Sequence, residues 1–180
     1  METCCFTGHR ELPVQLLSRL ETALQSEVQR AIRQGYTHFL CGFARGADLL
    51  FAKAVARECR TNPNIRLQAA IPYRARLKQL EADPETKPLL NACSDVFVPS
   101  ESYHPGVFML RNRFMVDRSK LVIGLFSYGR EGGGTIRTLQ YALSQRKKIR
   151  SIVMSCFDPR KSGKDGYRLV ATSKILFPEK

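Results

Sequence analysis

The run Gly132-Gly133-Gly134-Thr135 is the stretch of this chain whose residue types point most directly to chemistry. It follows an apolar segment, Leu121-Val122-Ile123-Gly124-Leu125-Phe126, and precedes a helical pattern that starts at Ile136. A strand feeding a glycine loop feeding a helix gathers backbone N–H groups and the positive end of a helix dipole at one point, which suits an anion. Glycine permits the close approach because it has no Cβ. Just upstream lies Arg111-Asn112-Arg113. Guanidinium groups pair with phosphate through two parallel N–H donors, so Arg113 is expected to meet a phosphate. Asn112 is expected to hold the loop or a ribose hydroxyl. The chemistry implied is binding of a phosphate-bearing, nucleotide-derived ligand; the plain alternative is a sharp turn between strand and helix.

Two further glycine turns bear on that choice, Gly8-His9-Arg10 and Gly42-Phe43-Ala44-Arg45-Gly46-Ala47-Asp48. Each follows an apolar segment and precedes a helical pattern. Gly8, His9 and Arg10 are expected to face the ligand from the first strand, and His9 is the one histidine given a site role. Gly42 and Gly46 shape the second turn. Arg45 either reaches the ligand or locks its loop, and Asp48 reads most simply as a structural cap beside a helix N-terminus. Pro72 and Tyr73 close the third strand at the same level. No catalytic residue and no metal site is assigned: the three histidines are scattered, and the six cysteines, at 4, 5, 41, 59, 93 and 156, contain no C-x-x-C pair. They read as thiols, with Cys4, Cys5 and Cys41 inside apolar strand patterns. No cofactor is required by anything in the pattern.

The elements that would carry these turns alternate. Strands are expected at 3–7, 37–41, 65–71, 95–98, 120–126 and 149–154, with a last short one near 175–177. Helices are expected from Leu16 to Ile32, with Pro13 in a first turn and Gly35 at its C-terminal boundary, then over 49–56, 74–82, 85–93, 106–118 and 134–146. Alternation of this kind implies an α/β fold with a Rossmann-like, doubly wound, mostly parallel sheet of about six or seven strands and helices on both faces. Such sheets take ligands beyond the carboxyl ends of their strands, so all three glycine turns should share one rim.

Bulk properties agree with one globular domain of 180 residues, 43% hydrophobic and 25% charged. No apolar run reaches membrane-spanning length and the N-terminal segment lacks a basic signal-peptide region, which leads to the expectation of a cytoplasmic protein without a membrane partner. The net charge of +13 is uneven: residues 101–180 carry +10 of it. A basic half suggests an anionic partner, a nucleotide or a nucleic-acid backbone, against the plain alternative of a solvated surface. Tyr73, Tyr103, Phe108 and Tyr128 are available for base stacking, although Phe108 and Phe114 read more simply as core residues on a helix face. A homo-oligomer is possible.

Four motifs together, Thr7-Gly8-His9-Arg10, Gly42-x-x-Arg45-Gly46-Ala47-Asp48, Arg111-Asn112-Arg113 and Gly132-Gly133-Gly134-Thr135, resemble the SLOG superfamily, the group of Smf/DprA and Lonely Guy proteins, in order and spacing. The resemblance spans about 2–154 and leaves 155–180 as a basic C-terminal extension of a single SLOG-like domain. Cys4-Cys5-Phe6-Thr7-Gly8-His9-Arg10 and Arg113-x-Met115-Val116-Asp117-Arg118-Ser119 resemble the short bacterial, YpsA-related branch of unknown function. The resemblance implies a nucleotide-type ligand at the glycine rim and a sensor or regulator role. Two relatives imply alternatives. DprA-type proteins bind single-stranded DNA. Lonely Guy proteins cleave the base from a nucleoside monophosphate and carry P-G-G-x-G-T-x-x-E. Here Thr138 stands in the place of that glutamate and Phe114 in the place of a lysine. A hydroxyl cannot stabilise an oxocarbenium-like centre as a carboxylate does, which turns the expectation away from hydrolysis. Glu131 is the nearest acid in the loop.

Overall fold

The computed structural model describes residues 2–129, 132–156 and 167–172. Seven strands form one sheet: β1 (Thr3–Gly8), β2 (His38–Cys41), β3 (Arg66–Ala70), β4 (Cys93–Phe97), β5 (Leu121–Ser127), β6 (Lys148–Cys156) and β7 (Tyr167–Thr172). Their order is β4-β3-β2-β1-β5-β6-β7. The first six are parallel, and β7 joins β6 antiparallel, with Ser151 opposite Thr172 and Cys156 opposite Tyr167. The helices are α1 (Leu17–Arg33), α2 (Ala47–Thr61), α3 (Arg74–Ala82), α4 (Lys87–Asn91), α5 (Val107–Asp117) and α6 (Gly134–Ser144), with a 3-10 turn at Val14–Leu16 ahead of α1.

The central strands are apolar throughout because both of their faces are covered. In β1 the side-chain alternation sends Cys4 and Phe6 to one core and Cys5 to the other. The first core lies under α1 and α2, whose Leu20, Leu24, Val28, Phe51 and Val55 pack on Phe39, Leu67 and Ile123. Phe51 stacks on Phe6 at 4.6 Å between centroids and tilts against Phe39 at 6.3 Å. The second core lies under α5 and α6, where Met115, Val116, Ile136 and Leu139 meet Leu40, Val122 and Val153. The five cysteines with described side chains are free. Burial pushes the Cys4 and Cys41 thiols well up and Cys5 up to about 12, so these behave as small apolar residues.

The expected sheet and helices are present, with two departures. The last strand expected near 175–177 lies outside the described residues. The seventh described strand, β7 at 167–172, was not expected from the sequence, where Gly163 and Gly166 just before it signal turns. Pro13 sits one position before the 3-10 turn, in extended conformation with ψ 127°, rather than within the first turn of α1. No helix among the described residues is long and apolar enough to cross a membrane.

The chain runs from β1 outward through β2, β3 and β4, then returns to place β5 on the other side of β1. The winding therefore reverses between β1 and β5, and the two crossovers leave a crevice at the carboxyl ends of those strands. The expectation that the three glycine turns share a rim follows directly: β1, β2 and β5 are consecutive parallel neighbours.

Phe51→Ala removes a fully buried ring that both neighbouring strands pack against. It is expected to cost about 3–5 kcal/mol in urea unfolding. A loss below about 1 kcal/mol would mean that this face of the sheet does not carry the packing described.

Candidate functional site

The crevice between β1 and β5 opens into a cleft of about 300 Å³, lined by residues 6–11, Ala44, Asp48, Phe108, Arg111, Asn112, Met115 and Gly132 to Thr135. That volume lies at the small end of ligand pockets. One wall is the start of α6. Gly133 precedes the helix with φ 90°, and Gly132 has φ 97°, a backbone region that glycine enters without strain. No described heavy atom lies within 4 Å of a Cβ placed on Gly132, Gly133 or Gly134. The first turn of α6 holds no acidic side chain. Among the described residues, no backbone carbonyl outside the helix accepts from the N–H groups of Gly134, Thr135 or Ile136. Among the described residues, donors without an acceptor, a positive helix end and uncrowded glycines thus coincide.

The other three glycines are explained by crowding within the chain. A Cβ on Gly8 would lie 2.5 Å from the Ala47 Cβ and 2.9 Å from the Phe6 ring. One on Gly46 would meet the Arg10 carbonyl, and Gly46 also has φ 84°. One on Gly42 would run into the Arg111 guanidinium and lie 2.8 Å from Asp48 Oδ2. These glycines let β1, the 42–48 loop and α2 close on one another, and Ala47 N–H donates to the His9 carbonyl at 3.1 Å across that junction.

His9 is buried at the end of β1, where its Nε2 accepts the Ser127 N–H at 3.0 Å. A ring nitrogen that accepts from an amide carries no proton, so Nδ1 is the protonated nitrogen and the imidazole is neutral. His9 thereby ties the ends of β1 and β5. Arg10, next along, is exposed at the cleft mouth with its guanidinium 5.3 Å above the Phe108 ring. Arg45 is largely exposed, pairs with Glu11 at 3.8 Å, and does not line this cleft.

The basic cluster on α5 divides. Arg111 is buried; its Nη1 donates to the Gly42 carbonyl and, at 3.4 Å, to the Ala70 carbonyl, and lies 3.9 Å from Asp48 Oδ2. Its Nε has no hydrogen-bond partner among the described residues. Asn112 donates from Nδ2 to Thr138 Oγ1 at 2.8 Å, and Thr138 in turn donates to the Gly134 carbonyl at 2.7 Å. Asn112 therefore does hold the loop, through a fully buried threonine. Arg113 is not at the cleft: it is exposed, and its guanidinium lies 5.2 Å above the Tyr141 ring. Two residues along a helix turn the side chain by roughly 200°, so 111 and 113 cannot share a face. The sequence carried the signal, since Val107, Arg111 and Met115 recur at intervals of four and all three are buried.

Asp48 does not cap α2 through its side chain. Gly46 occupies the N-cap position, and Asp48 Oδ2 accepts instead from Ala44 N–H at 3.2 Å within the loop. Burial raises its carboxyl from the usual 3.8 to about 6, against the opposing pull of Arg111 and the amides of Ala44 and Gly8. Burial likewise lowers Arg111, which Asp48 partly offsets. Desolvation thus outweighs attraction in this pair. Phe108 is a further departure: it lies at the N-terminal end of α5, 36% exposed, at the edge of the cleft, and not in the core. Phe114 is half-buried against Phe97 at 5.4 Å. Arg130 and Glu131 lie outside the described residues.

No family model matches the chain, and no curated protein matches it. Among solved structures it is similar to the X-ray structure of TM1055, at 16% identity and a TM-score of 0.53, over 83% of this chain and 72% of that one. It is also similar to DNA processing protein A from Helicobacter pylori, described by its single-stranded DNA binding mode, at 14% identity and a TM-score of 0.57. That match covers 82% of this chain and 63% of that one, so the chain spans less than two thirds of its length.

Two substitutions separate the two kinds of glycine. Gly42→Ala is expected to destabilise by about 1–3 kcal/mol or more through overpacking against Arg111, whereas Gly134→Ala should change thermal stability by less than about 0.5 kcal/mol. Equal losses would show that both are packing glycines. For Asp48, a folded pKa above the unfolded one means its contribution to stability is complete below about pH 4 and declines as pH rises through about 6. The 13C shift of its carboxyl should titrate with a midpoint near 6; a midpoint near 4 would place it in water. At these identities the likeness is one of fold: the chain shares the α/β architecture of these two solved structures.

Proposed function

We propose that the cleft between β1 and β5 binds a nucleotide-derived, phosphate-bearing ligand, and that the protein acts as a sensor or regulator of it. The observation that supports this reading is the start of α6: among the described residues, nothing crowds the Cβ positions of its three glycines, nothing accepts from the N–H groups at 134–136, and no acid stands in the first turn. The phosphate sits against Gly133, Gly134 and Thr135, with the hydroxyl of Thr135 as an added donor. Arg10 supplies positive charge from the mouth, and Arg111 supplies it from the buried wall. Thr138 does not act on the ligand, because its hydroxyl is spent between Asn112 and the Gly134 carbonyl. The role is therefore binding, without an assigned catalytic group.

A second reading, single-stranded nucleic acid, rests on the aromatic cluster beside the cleft. Tyr73 lies 5.6 Å from Tyr103 and 6.3 Å from Phe108, edge to face in both cases, and Tyr103 is 63% exposed. Basic grooves with exposed rings suit stacked bases. The structural likeness to a DNA processing protein that binds single-stranded DNA supports the same reading.

Adding AMP, ADP-ribose or NAD should raise the melting temperature, since a ligand that binds only the native state stabilises it by mass action. Gly134→Asp should keep the fold, because an acid suits a helix N-terminus, and abolish the shift by repelling phosphate. A wild-type protein whose melting temperature no phosphate-bearing compound moves would remove the small-ligand reading. An oligonucleotide that binds with a steep salt dependence would establish the second one.

A further inference from the structure

Beside the phosphate cleft lies a second groove of about 400 Å³, bounded by Pro72, Tyr73 and Arg76 at the end of β3 and the start of α3. It is not a separate site, because Arg10, Phe108 and Arg111 line both spaces. The groove combines features that the cleft lacks. Tyr73 is half-buried and Phe108 is 36% exposed, and the two rings are held edge to face at 6.3 Å. Such a pair is preorganised, since each ring limits the rotation of the other. Arg10 lies over Phe108 at the boundary between the two spaces, so its guanidinium plane is within reach of groups in either one. A phosphate gains little from aromatic rings, and a single ribose offers a smaller stacking face than a planar base. A flat, apolar, electron-rich ring with an anionic group attached gains from both halves.

We propose that this groove is the ring-binding half of the site: the aromatic base of the ligand lies against Tyr73 and Phe108 while its phosphate lies at Gly134, with Arg10 bridging the two. This inference rests on the phosphate reading of the cleft and adds the ligand class, a base-bearing nucleotide in preference to a sugar phosphate. Tyr73 and Phe108 are then specificity-determining residues, and Pro72, which closes β3 with its side buried, positions Tyr73 at the rim.

Calorimetric titration of the full chain with ribose 5-phosphate, AMP, ADP-ribose and a deoxythymidine decamer tests it. The expected result is that AMP or ADP-ribose binds roughly 5- to 150-fold more tightly than ribose 5-phosphate, the range that stacking of one base supplies. Tyr73→Leu should erase that preference and leave ribose 5-phosphate binding unchanged, and Tyr73→Phe should restore it. If ribose 5-phosphate binds and the adenine compounds bind no better, the ring subsite falls while the phosphate reading stands. The subsite also falls if Tyr73→Leu weakens all ligands alike. If none of the three small ligands binds, the phosphate reading fails and takes the subsite with it. If only the decamer binds, the rings belong to a strand and the small-ligand assignment is overturned.

Discussion

The rim depends on one buried guanidinium. Arg111 reaches from α5 across the carboxyl ends of β2 and β3, where Gly42 and Ala70 leave carbonyls beyond the last ladder bonds, and it faces the Asp48 carboxylate from α2. Four elements therefore meet on one side chain. A guanidinium suits this place because its donors form a rigid fork. The arrangement also dictates a neighbour, because Gly42 has no room for a Cβ beside the Arg111 Nη1. Burial raises the Asp48 carboxyl to about 6 despite that cation, so the charge attraction offsets only part of the desolvation cost of this corner.

With that corner closed, the glycines fall into two physical kinds. Gly8, Gly42 and Gly46 are sites of contact, each against a named atom of the chain. Gly132, Gly133 and Gly134 are sites of space, and two of them also take positive φ. A motif written as glycines alone does not distinguish the kinds. Alignment on one rim is consistent with a ligand site, but three of the six residues are accounted for by packing alone.

The α5–α6 junction is held by buried side chains. Asn112, Thr138 and the Gly134 carbonyl form a short chain of hydrogen bonds inside the second core. It ties the first turn of α6 to α5 at the point where Gly134 and Thr135 line the cleft. A threonine at 138 serves this purpose because it donates and accepts with one hydroxyl. A carboxylate at the same buried position would lack a cationic partner among the atoms that now surround it, Asn112 and the Gly134 carbonyl. The packing around residue 138 thus suits a hydroxyl.

Much of the fold was legible in the sequence, since alternating strand and helix patterns, the apolar run 121–126 and the glycine turns determine a parallel doubly wound sheet through local periodicity. The rim was legible as well, because in a parallel sheet every turn from strand to helix leaves from the same edge. The direction of individual side chains was less so. Arg113 was expected at the phosphate and Phe108 in the core, yet a helix turn of 100° per residue puts Arg111 inward, and the exposed N-terminal turn of α5 puts Phe108 at the cleft mouth. β7 was missed because turn residues precede it and an added antiparallel edge strand needs only a partner, not a pattern of its own. The sequence by itself determined the alternation of β1 to β6 with their helices and which end of the sheet carries the glycines. Only the tertiary structure decided which cation is buried, which glycines are empty space and which rings stand beside them, because those depend on contacts between segments far apart in the chain.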